Sequence, residues 1–185
     1  MKKKQMTIMR MAVNAVLVAI YVVLTFLVIP IGGLKVTFEH FPVVLCAVLF
    51  GPVDAMLVGG LGELINQLTS FGLTPTTVLW ILPIVARGLL LGLCGTLLKK
   101  RLSLNAIIVK KIPLAFLSAC IITGVVSSCL NTLALYVDSK MFGYYTYALV
   151  FGALFIRILL GVITSVLITF AIKSVLHALK KANLI

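Results

Sequence analysis

Few residues in this chain are equipped to do chemistry, so each can be weighed. The 185 residues include four carboxylates (Glu39, Asp54, Glu63 and Asp138), two histidines (His40 and His177) and four cysteines. So few carboxylates argue against a multi-metal hydrolase or an extended acid–base site. Cys46, Cys94, Cys120 and Cys129 all lie in apolar runs without CxxC or Cys/His spacing. They read as free thiols acting as small hydrophobes, and no metal site is expected. The sequence lacks G-x-x-x-x-G-K-[ST], H-E-x-x-H and G-x-S-x-G, the signatures of a phosphate cradle, a zinc protease and a nucleophile elbow. What stands out is a set of side chains embedded in apolar runs: Glu63, Asn66, Trp80, Arg87, Asn131 and Arg157.

The elements that must position them follow from composition. Hydrophobic residues make up 62% of the chain and charged residues 11%, against about 45–50% and about 25% in soluble domains. Disorder is excluded, a soluble surface cannot be made, and an integral membrane protein remains. The net charge of +12 does not point to nucleic acid, because the basic residues sit at the ends of apolar runs. Lys2, Lys3, Lys4 and Arg10 precede the first run; Lys99, Lys100, Arg101, Lys110 and Lys111 bracket a hydrophilic break; Lys173, Lys180 and Lys181 close the chain. These read as orientation signals and contacts to anionic lipid headgroups. The first run, Met11 to Ile31, follows a basic segment but lacks an A-x-A cleavage site, so it is expected to be a retained span.

Six spans are expected, at about 9–30, 36 or 41–50, 53–68, 78–98, 112–136 and 147–172, in one domain over 1–185. Splitting 36–69 into two helices puts both termini and the 99–111 loop on one side with twelve Lys and Arg, leaving Lys35 and Lys140 opposite. The positive-inside rule makes that side cytoplasmic. The fold class is thus all-α, a six-helix transmembrane bundle with both termini cytoplasmic.

At about 1.5 Å of rise per residue, Glu63, Asn66, Trp80, Arg87, Asn131 and Arg157 fall between mid-membrane and the outer surface. Intramembrane charges are costly, so each marks a candidate site. Together they describe a pocket opening outward and closed below by apolar packing. Simpler roles exist for several. Glu63 and Arg87 fit a structural ion pair, Trp80 an interfacial belt, Asn131 an interhelical hydrogen bond, and Asp54 a helix N-cap or first-turn position. His177 reads as solvated or headgroup-facing. Two arginines against one carboxylate favour an anionic ligand. The outer loops, residues 31–40, 69–77 and 137–147, add Lys35, Phe38, Phe71 and Tyr144–Tyr145, which offer stacking faces to a planar ligand or serve as connecting turns with interfacial aromatics. Ala15-Val-Leu-Val-Ala19, with Ala12 on a neighbouring row, is a small-residue seam that lets a helix approach closely, as are Gly88 and Gly92. Six spans without a visible inverted repeat are too few for most secondary transporters.

The chain resembles the substrate-binding (S) component of energy-coupling factor transporters, the prokaryotic vitamin-uptake systems. The resemblance runs through the Ala15-x-x-x-Ala19 motif, Phe38–Pro42, Phe50-Gly51-Pro52-Val53-Asp54, Gly62-Glu63 and the Leu73–Gly88 stretch. It implies a non-enzymatic binding subunit in the cell membrane whose outer loops cap one vitamin. Ala12, Ala15 and Ala19 would dock on a membrane-embedded coupling (T) subunit carrying two ATPases. No cofactor is implied, and ATP is used only by the partners. Among such proteins it looks most like the folate type. A pterin edge fits Glu63 supplemented by Asn66, Trp80 offers stacking, and the glutamate tail would seek Arg87, Arg157 or Lys35. The alternatives are pantothenate or another small anionic vitamin, a membrane enzyme, and an assembly subunit.

Overall fold

A computed structural model describes the backbone of residues 2–31, 34–101 and 114–181. Among them are six α-helices: α1 (Lys2–Phe26), α2 (His40–Leu49), α3 (Pro52–Ser70), α4 (Thr77–Arg101), α5 (Leu114–Met141) and α6 (Leu154–Lys181). A small antiparallel hairpin, β1 (Ile29–Ile31) and β2 (Leu34–Val36), joins α1 to α2, with Pro30 opposite Lys35. Most of the 99–111 loop lies outside the described residues. Four helical stretches are long and apolar enough to cross a membrane: Ile8–Phe26, Thr77–Leu97, Leu114–Met141 and Ala148–Leu179.

The other two helices are different in kind. At about 1.5 Å per residue, the ten residues of α2 reach about 15 Å, half of a hydrocarbon core of about 30 Å. Residues Pro42 to Val48 are all buried. A helix apolar on every side belongs inside a bundle, and α2 packs against α1, α3, α4 and α6. Helix α3 carries Asp54, Glu63, Asn66 and Gln67, and three of those four are buried, so its polar face must meet protein.

The Gly51-Pro52 turn between α2 and α3 depends on Gly51, whose φ of 97° an L-residue rarely adopts. Pro52 then occupies the first turn of α3, where a missing N–H costs nothing. Helix α4 crosses this corner closely: a Cβ on Gly92 would lie 2.2 Å from Pro52 Cα. At the same end Asp54 accepts hydrogen bonds from Arg10 and, at 2.6 Å, from Asn14 Nδ2. Arg10 also donates to the Phe50 carbonyl at 2.8 Å. Asp54 is therefore a link between α1 and the start of α3, beyond its expected place in the first helical turn.

Several boundaries differ from the sequence reading. Helix α1 ends at Phe26, and the apolar residues after it form β1. Hydropathy cannot separate the two, since both are apolar. Helix α5 continues past Tyr136 to Met141, so Asp138 sits in its final turn and not in the loop. Ahead of α6, Ala148–Gly152 forms a π turn.

Gly92→Ala should force α4 away from the Gly51-Pro52 corner, because the clash is with backbone. Overpacking of this kind costs about 1–3 kcal/mol. The expected result is a lower thermal midpoint in detergent than for Gly95→Ala, whose Cβ would meet only the Ala47 carbonyl at 3.4 Å. Equal midpoints would show that the corner can relax.

Candidate functional site

Helix α3 places Glu63, Asn66 and Gln67 on one face by their i, i+3 and i+4 spacing. Glu63 is 8% exposed, and a carboxylate so enclosed needs donors. It receives Tyr21 Oη at 2.9 Å on Oε2 and Gln67 Nε2 at 2.7 Å on Oε1. Asn66 Nδ2 bridges both oxygens at 3.2 and 3.3 Å. Tyr21 reaches from α1 because α3 has no side chain at Gly62, where a Cβ would fall 2.5 Å from the Tyr21 ring.

Glu63 lines a cavity of about 490 Å³. Trp80, Pro83 and Ile84 form its α4 wall, and Ser127, Asn131 and Asp138 its α5 wall. Phe71, Thr74, Phe142 and Tyr144 come from the two turns above. A second cavity of about 320 Å³ shares Glu39, His40, Trp80 and Asn131 with the first, so these four residues divide two adjoining chambers. The second chamber is lined by Arg157 and by the hydroxyl residues Thr37, Ser128 and Thr164. Arg157 is steered by the π turn, donating to the carbonyls of Val150 at 3.1 Å and Leu149 at 3.0 Å. The guanidinium has five N–H groups, so these two bonds leave donors for the chamber. Beneath both chambers lies the apolar core of Val43, Val44, Ala47, Ala55 and Val58.

Asp138 closes the upper end. It accepts hydrogen bonds from Thr76, ahead of α4, and from Tyr144, in the turn after α5. Burial first, and then the Asp138 hydrogen bond and charge, push the Tyr144 phenol up to about 12. One carboxylate thus ties together both turns over the larger chamber.

A two-chambered cavity, mostly apolar but carrying Glu63, Asn131 and Arg157 in its walls and set among four helices of membrane length, is built to hold a molecule. The family model for the ECF (energy-coupling factor) transporter, substrate-specific component, matches residues 9–179. The chain belongs to that family. A comparison with curated proteins gave no match. It is an S component: a multi-pass membrane protein, a substrate-binding transport subunit and not an enzyme, from a family that associates with ECF coupling and ATPase modules.

In this S component Glu63, Asn66, Trp80 and Asn131 meet at the larger chamber, and Trp80, Asn131 and Arg157 at the smaller. Phe38 faces elsewhere, lining a separate apolar pocket with Leu24, Phe41 and Leu167. Arg87 is 2% exposed and donates to Ser165 Oγ of α6 at 2.9 Å, while its Nε has no partner. Among the described residues the ion pair is Arg10–Asp54, so Glu63 and Arg87 do not form the structural pair that their charges allow. Lys35 sits on β2, with its side chain outside the described residues. Ala12, Ala15 and Ala19 are exposed on α1, away from the buried Leu17 and Tyr21. Tyr145 packs edge-on to Tyr136 at 5.5 Å and under Lys140 Nζ at 4.2 Å, leaving Tyr144 as the member of that pair facing the chamber.

Sequence reasoning did not single out Tyr21, Gln67 or Asp138, and placed His40 only in a loop. Gln67 was detectable as the i+4 neighbour of Glu63. Tyr21 was detectable as part of an Arg10, Asn14, Leu17, Tyr21 stripe along α1. Asp138 required knowing that α5 continues.

Asp138→Asn should weaken one of the two hydroxyl contacts, since an amide presents a single acceptor oxygen. Faster hydrogen exchange is expected at residues 72–77 and 142–147, with the α2 amides unchanged. Unaltered exchange in both turns would mean that Asp138 does not hold them.

Proposed function

We propose that this S component captures a folate-type vitamin from outside the cell. The observation that carries the reading is the pairing of an acceptor-rich chamber with an arginine-bearing one across a shared tryptophan. A pterin head carries a 2-amino and N3–H donor edge, which suits Glu63. Its ring is a stacking partner for Trp80. The carboxylates of a glutamate tail suit Arg157 and the hydroxyls around it. The volumes lie within the range of ordinary ligand pockets, about 300–1,000 Å³. Pantothenate has an anion for Arg157 but no planar donor edge to occupy Glu63.

The assembly follows the same reading. Residues 1–185 form one S-component domain, a six-helix bundle in the prokaryotic plasma membrane, with the short α2 enclosed among the other helices and the polar face of α3 turned inward. Both termini are cytoplasmic, as the twelve Lys and Arg gathered on that side favour. The exposed Ala12, Ala15 and Ala19 face docks on the T subunit, which carries two ATPases. Those partners use ATP, and this chain needs no cofactor of its own.

Mass spectrometry of the protein purified in detergent should find a folate; a co-purified acid without a ring would overturn the substrate assignment. Glu63→Gln should weaken folate binding by roughly tenfold or more, since each charge-assisted hydrogen bond contributes about 1.5–3 kcal/mol, and should leave pantothenate little changed. Ala15→Trp should abolish transport while calorimetry shows normal ligand binding.

A pH dependence is also expected. Glu39 lies in the turn ahead of α2, and burial, then the Glu63 charge, push its carboxyl up to about 7 against the Thr37 hydrogen bond and the Arg87 charge. It is ionised above that pH and neutral below it. An anionic ligand should therefore bind several-fold more tightly as pH falls through 7. The dependence should flatten in Glu39→Gln, and an identical titration in that variant would exclude Glu39 as its source.

A further inference from the structure

Tyr21 is 1% exposed and lies on α1, while the group it serves lies on α3. Its ring is pressed on the backbone at Gly62, where a Cβ would come within 2.5 Å of Cδ1 and 2.6 Å of Cγ. The phenol is therefore fixed, and its hydroxyl meets Glu63 Oε2 at 2.9 Å. Gln67 fixes the other oxygen from α3 at 2.7 Å. Each carboxylate oxygen offers about two lone-pair sites, so each keeps one after these short bonds. Both remaining sites are met by a single group, the Asn66 amide, at the longer distances of 3.2 and 3.3 Å. Asn66 is half-buried at the chamber wall, so it can be displaced.

We propose that Tyr21 is a positioning residue. With Gln67 it pins one lone pair of each Glu63 oxygen, so that the carboxylate presents the other two as a matched pair of acceptors. Asn66 Nδ2 bonds to that pair at 3.2 and 3.3 Å. The ligand class selected is a planar edge with two adjacent N–H donors, which displaces Asn66 and binds in bidentate fashion. Helix α1 is thereby part of the binding site. This rests on Glu63 being the ligand contact.

Only Glu39 and Glu63 are glutamates, so ¹³C-glutamate labelling in a Glu39→Gln background leaves one labelled side-chain carboxylate. Infrared difference spectra of the full chain in detergent should show the Glu63 antisymmetric stretch shift in Tyr21→Phe without ligand. The phenylalanine ring keeps its place on Gly62 and removes only the hydroxyl. Binding is then compared for folic acid and an analogue with methyl in place of the 2-amino group. The wild type should prefer folic acid at least roughly tenfold, the loss of one charge-assisted bond. Tyr21→Phe should reduce that preference to within a few-fold while the analogue's own affinity holds. An unmoved band overturns the proposal, whatever the ligand. Equal losses for both compounds also overturn it, since they show that Tyr21 only shapes the chamber. A shifted band with neither compound binding the wild type sinks the folate reading and supports the Tyr21 assignment. Gln67→Met, which frees the other oxygen, supplies the same two readings if Tyr21→Phe does not fold.

Discussion

A carboxylate buried among membrane helices must be surrounded by donors, and the Glu63 site is organised by that requirement. Removing such a group from water costs several kcal/mol even after relaxation. Tyr21, Asn66 and Gln67 offset the cost with hydrogen bonds. Supplying the tyrosine brings α1 against α3, and that approach is open only because residue 62 is glycine. The same logic recurs at Asp54, which joins α1 to the start of α3, and at Asp138, which joins the turns above the larger chamber. With four carboxylates in the chain, three serve as cross-links between elements distant in sequence. Glu39, at the junction of the chambers, is the fourth.

The space they surround exists because α2 is short. Its ten residues fill about half the thickness of a hydrocarbon core. Beside its first residue, His40, the two chambers meet. The lower half of the bundle is packed by the apolar Pro42–Val48 stretch of α2, and α4 closes on the Gly51-Pro52 corner through Gly92. A longer α2 would fill the cavity, and a more polar one would not pack beneath it. The π turn before α6 makes the second chamber by bringing Arg157 to its wall with two of its donors already engaged.

Much of this is legible in the amino-acid sequence. The membrane class followed from too few charges to wet a surface, and the helix positions from apolar runs broken by glycine and proline. Glu63 and Arg157 stood out because a charge in an apolar run is costly wherever it sits. Equally costly residues then took different surroundings. Arg87 went into the wall between α4 and α6, bonded to Ser165, while Arg157 opened on a chamber. Composition treats the two alike.

The sequence by itself determined the solvent, the helices and the small set of side chains that hydrocarbon would not tolerate, because transfer energies and helical rise are local properties. Only the tertiary structure decided which of those side chains meet. Tyr21 reaches Glu63 across forty-two positions, Arg10 reaches Asp54 across forty-four, and Thr76 reaches Asp138 across sixty-two. Those pairings depend on helix crossings set by glycine contacts and on where α5 stops, and no periodicity in the chain encodes either.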